Sequence, residues 1–77
     1  MTWLSDLTTR IADATGIAPT ALALDPDDAD TLLRLASIAA HESGERLNAP
    51  LLCHVLGRAV ALGAPLDELA NVVEGTG

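Results

Sequence analysis

The sequence predicts a small all-α domain, and three observations predict it. Apolar residues recur at intervals of three and four, prolines and glycines fall where helices would start and stop, and the run Asn48 to Gly63 is nearly apolar throughout. The expected architecture is a bundle of four helices, three longer and one short and C-terminal, with a turn or short helical segment near residues 18–23. All of it falls in a single domain, residues 1–77.

Thr2 is placed to cap a first helix in which Leu4, Leu7, Ile11 and Ala14 form the apolar stripe. Asp6 and Arg10 are expected to pair four residues apart on its outer side, and Gly16 to end it. Trp3 reads as the packing anchor of this helix against the others. Ile17 to Leu24, with Pro19 and two leucines, is expected to fold back over the core.

Asp25-Pro26-Asp27-Asp28 combines a cap residue, a first-turn proline and carboxylates near the positive end of a helix dipole, which is a strong start signal. Leu32, Leu35, Ala36 and Ala39 then carry the buried face, Asp30, Arg34, Ser37 and His41 the solvated one, and Gly44 closes the helix. Glu42 to Leu47 is a short connection, so the next helix should lie antiparallel or cross steeply.

That next helix, Asn48 to Gly63, is read as the centre of the protein. Pro50 suits its first turn, Asn48 or Ala49 the cap, and Gly63 the stop. Leu52, Val55, Leu56, Ala59 and Leu62 make its buried stripe, with His54 and Arg58 on another side. Cys53, Gly57 and Ala61 form a line of small residues. Glycine costs about 1 kcal/mol within a helix, and the expected compensation at Gly57 is the close approach of a neighbouring backbone. A last helix follows Pro65, with Asp67 and Glu68 in its first turn and Leu66, Leu69, Ala70 and Val73 on one face. Glu74 to Gly77 is expected to fray.

Composition bounds the function. With 77 residues, no Phe or Tyr and one Trp, the core is built of Leu, Val, Ile and Ala near the lower size limit for a self-sufficient domain. A homo-oligomer or a larger protein partner is therefore expected. A net charge of −7 with four scattered cations, Arg10, Arg34, Arg46 and Arg58, opposes nucleic-acid binding. No apolar run reaches the roughly 18 residues of a membrane span, and no basic segment precedes a hydrophobic one at the N-terminus. One cysteine cannot form an internal disulfide, so the expected location is cytoplasmic.

Few residues carry chemistry. His41, Glu42, Glu45, Cys53 and His54 include good metal-ligand types, but their spacing matches no zinc pattern. The HESGE stretch lacks a second histidine one turn on, and no CxxC pair exists. His41 reads instead as a surface residue and Cys53 as a small core residue, with no metal assigned. A Cys53 nucleophile is poorly served by His54, which points about 100° away around the helix. Glycine-rich phosphate loops, dinucleotide fingerprints and GxSxG elbows are missing, so no enzyme activity and no cofactor are expected.

Two resemblances follow. The acidic, all-helical chain resembles acyl carrier proteins in size, and Ala29-Asp30-Thr31-Leu32 is similar to their Asp-Ser-Leu attachment motif; threonine stands where the serine must be. Trp3, Gly16, Leu32-Leu33-Arg34-Leu35-Ala36, Ala40-His41, Arg46, Ala49-Pro50-Leu51 and Gly57 together resemble a small actinobacterial domain of unknown function. That domain is found alone or beside molybdenum-cofactor guanylyltransferase-like proteins. The connection from His41 to Pro50 is about one residue longer here, and Leu47 and Asn48 replace small or proline residues. The resemblance implies a context in molybdenum-cofactor biosynthesis or molybdoenzyme maturation, without a mechanism.

His41 and Arg46, joined by His54 and Arg58, are the candidate functional surface, a local site for a phosphate or a partner's carboxylate. The competing reading pairs Arg46 and Arg58 with Glu42, Glu45 or other acids. The expected function is a non-enzymatic accessory or protein-interaction module acting by helix-face docking or self-association. The alternative is a small-ligand protein, binding an anion, nucleotide or metal, that uses the His41, Arg46 and His54 neighbourhood.

Overall fold

Leu35 alone among the described residues is completely shielded from solvent, and the helices that enclose it define the core. The computed structural model describes the backbone of residues 2–76 and the side chains of residues 3–75. The chain is all-α: α1 (Thr2–Thr15), α2 (Pro19–Leu22), α3 (Pro26–Ser43), α4 (Asn48–Ala61) and α5 (Leu66–Thr76). α2 is the single turn expected near residues 18–23, leaving four longer helices.

α3 starts as its sequence dictates. Asp25 accepts a hydrogen bond from the Asp27 N–H at 2.8 Å, and Pro26 occupies the first turn, where no N–H is required. Its inner face meets both α4 and α5, so Leu35 packs with Leu56 of α4 and Ala70 of α5. Leu32, Ile38, Leu52, Leu69 and Val73 close around these three. The centre is therefore α3 and not the more apolar α4, because only α3 packs broadly on two partners while α4 and α5 touch little.

Hydrophobicity misled within α4 as well. Leu52, Leu56 and Ala59 turn inward as expected, but Val55 is exposed and Leu62 lies 89% exposed. Leu62 is the residue after the last helical turn, where the chain closes with the Gly63 N–H donating to Val60 O and the Ala64 N–H to Ala59 O. This closure needs the positive φ of Gly63 (105°).

The cap at the other end of α4 also departs from expectation. Neither Asn48 nor Ala49 is the cap; Leu47 holds that position without a side-chain bond. A tight turn winds the helix in from Glu45 O and Arg46 O, while the Glu45 carboxylate accepts the Leu47 N–H at 3.2 Å. Gly57 has nothing within 4 Å of where a Cβ would stand. The expected close approach along Cys53, Gly57 and Ala61 is not made, since Gly57 and Ala61 face solvent.

α5 buries Ala70 and half-buries Leu66, Leu69 and Val73. It does not fray at Glu74: the helix runs to Thr76, and Glu74 accepts from the Arg34 guanidinium of α3 at 2.7 Å. Gly77 lies outside the described residues.

α1 differs most from expectation. Its backbone approaches only α2, so neither Trp3 nor the stripe anchors it to the core; Trp3 is 73% exposed. Ala12 is the buried point of the α1–α2 pair. The segment does not fold back over the core because Ala18 and Ala23, flanking α2, are both extended (ψ 131° and 136°) and carry α1 outward. The expected Asp6–Arg10 pair is not formed within 4 Å, and the Thr2 cap concerns a side chain outside the described residues. The radius of gyration, 13.4 Å, exceeds the about 11.5 Å of a compact chain of this length, as a displaced arm requires.

Leu35→Ala is expected to destabilise the domain by about 2–5 kcal/mol in chemical denaturation, because α3 cannot collapse onto two partners at once. Gly57→Ala is expected to raise stability by up to about 1 kcal/mol, since open space surrounds that position.

Candidate docking groove

Where the C-terminal half of α3 meets the start of α4 and the end of α5, the three helices leave an apolar groove of about 630 Å³. Ile38 and Ala39 form its floor from α3, Leu51, Leu52 and Val55 one wall, and Val72 and Val73 the other. Leu51 and Val55 are 63% and 59% exposed. The origin of the groove is arithmetic: three helices enclose one line of side chains around Leu35, and α4 is apolar on more faces than two neighbours cover.

Polar groups sit at one end of the groove. Glu42, Ser43 and Asn48 border it there. Ser43 holds the connection together: its Oγ donates to a carbonyl of α3 at Ala39, and the Glu45 N–H donates back to Oγ at 3.2 Å. The loop between α3 and α4 is thus tied by local bonds at the polar end of the groove.

The four residues singled out from sequence lie elsewhere. His41 is on the exposed face of α3, where its Nδ1 lies within hydrogen-bond distance of the Ser37 carbonyl oxygen one turn back, at 2.8 Å. Arg46 is in the α3–α4 turn, and His54 and Arg58 project from the solvent side of α4. None of the four lines the groove or a second, shallower one on α1, and no hydrogen bond joins them. Arg46 and Arg58 do not pair with Glu42, Glu45 or any other acid within 4 Å; among the described residues the ion pair is Arg34–Glu74. Cys53 is half-buried and free.

Sequence reasoning passed over Leu51, Val55 and Val72 as groove residues. The available signal was the width of the apolar surface of α4, which has more leucine and valine than one stripe requires.

Among the described residues no three His, Cys, Asp or Glu side chains gather where a metal ion would be held, and no helix is long and apolar enough to cross a membrane. The fold and the groove define the class, a small all-α domain with an open apolar cleft. No family model, curated protein or solved structure matches the chain.

The Arg34–Glu74 pair is exposed (side chains 55% and 43%), so a double-mutant cycle with Arg34→Ala and Glu74→Ala is expected to give a coupling below about 1 kcal/mol, shrinking further in 1 M salt. A coupling of several kcal/mol would instead make the pair a principal clamp on α5.

Proposed function

We propose that this protein is a non-enzymatic accessory module that works by docking apolar helix faces, with itself or with a larger protein. The observation that carries the reading is the groove: Leu51 and Val55 stand exposed beside an open apolar cleft of about 630 Å³. Exposed apolar patches of this kind, rimmed by polar residues, are the usual mark of a protein contact on a small domain. The aromatic-poor core supports it too, since a partner adds burial that the lone chain lacks.

The context belongs to the same proposal. The similarity of Trp3, Leu32 to Ala36, Ala40-His41 and Ala49 to Leu51 to the actinobacterial domain supports a role beside molybdenum-cofactor biosynthesis or molybdoenzyme maturation. The lone cysteine supports a cytoplasmic location. Affinity purification from the native host, with recovery of molybdenum-cofactor enzymes, tests that context.

The docking mechanism is tested by mass in solution. The wild-type chain is expected to sediment above its monomer mass, and Leu51→Asp to return it to monomer with helical circular dichroism unchanged, because a carboxylate at an exposed site leaves the core intact. A wild type that stays monomeric and loses no partner on Leu51→Asp removes the reading.

A further inference from the structure

Two apolar surfaces in this molecule are left partly uncovered by the described residues, and they match each other. The first is the arc on α1. At 100° per residue Trp3, Ala14, Leu7, Ile11 and Leu4 fall within an arc of about 100°, the width of a core-facing helix stripe. Yet α1 packs only on α2, through the flank that bears Ala12, and the arc is left largely outward, with Trp3, Leu4 and Ile11 73%, 39% and 46% exposed and Leu7 at its centre half-buried. The second is the groove between α3, α4 and α5, which has the form of a helix bundle short of one helix.

We infer that α1 of a second copy of this chain fills the groove, in a reciprocal two-fold pair in which each copy lends its first helix to the other. The inference rests on the docking function above and names its occupant.

Length, area and charge support it. Leu4 to Ile11 and Asn48 to Val55 are equal steps of seven residues, each about 10 Å along a helix, so the arc and the groove wall are commensurate. Burying the exposed parts of Trp3, Leu4 and Ile11 against Leu51 and Val55, twice over by symmetry, removes on the order of 1,000 Å² from water, the lower bound for a specific dimer. Arg10 stands beside the α1 arc with Asp13 next to it, and Glu42 at the groove rim; among the described residues neither Arg10 nor Glu42 has an ion-pair partner within 4 Å. Docking can bring Arg10 to Glu42, an opposite-charge contact that the Asp13 carboxylate beside Arg10 partly offsets.

The occupant is a second copy and not the chain's own α1 because of how that helix is held. Ala18 and Ala23 are extended on both sides of α2, and α1 contacts α2 but not α3, α4 or α5, so its own arc does not reach the groove. A two-fold pair satisfies both surfaces of both copies at once.

The test uses full-length chains carrying Cys53→Ser. One adds Ile11→Cys and the other Val55→Cys, and the two are mixed under a glutathione redox buffer. The expected result is a mixed disulfide joining the two variants, enriched at least several-fold over either like-with-like dimer, and lost when the Val55→Cys chain also carries Leu51→Asp. A single chain with both cysteines that closes into a monomeric disulfide overturns the inference in favour of its own α1 as occupant. Like-with-like dimers in excess overturn it while leaving docking through the groove or another face intact. A wild type monomeric at all concentrations, with no mixed disulfide, removes the inference and the self-association it deepens.

Discussion

The burial of Leu35 between two helices is the constraint on which the rest of the structure depends. With no Phe or Tyr and its one Trp 73% exposed, the chain has no aromatic side chain in its core, and one leucine stands where three helices converge. Leu56 and Ala70 complete that point because they are a leucine facing a leucine and an alanine small enough to let α5 approach. Once α3 is committed to both neighbours, α4 and α5 share little surface, and the space between their outer sides and the end of α3 becomes the groove. The groove is thus a consequence of how the core is closed.

The same logic separates α1 from the core. A helix joins a bundle when its connection lets its apolar arc reach a vacant face. Between Gly16 and Asp25 the chain makes one helical turn between extended residues, which supports α1 through Ala12 and leaves the arc facing out. The polar side of α1 is largely self-sufficient, with Thr8, Thr9 and Thr15 each donating to the carbonyl four residues back. Those hydroxyls need no neighbour, so what the helix chiefly lacks is apolar cover.

Electrostatics play a small part within the fold. Eleven carboxylates and four arginines leave most acids without a cation, and the ion pair formed among the described residues, Arg34–Glu74, is exposed and modest in strength. It nonetheless ties the last turn of α5 to α3, where local sequence offers no apolar anchor. A contact forty residues away in the chain supplies what the last turn lacks.

The sequence by itself determined the helices, because their signals are local. Asp25 and Pro26 start α3, Gly63 ends α4 by its positive φ, and the three-and-four spacing of Leu66, Leu69, Ala70 and Val73 fixes the inner face of α5. Only the tertiary structure decided which apolar residues are covered. Val55 and Leu62 are indistinguishable from Leu56 by type and spacing, and Trp3 has every attribute of an anchor, yet burial depends on whether a partner helix arrives at that face. The candidate cations His41, Arg46, His54 and Arg58 were legible as residues, but the cleft was not. It is formed by Ile38, Leu51 and Val73, distant in sequence and chemically ordinary, and it exists because three helices converge on one leucine and leave the next space unfilled.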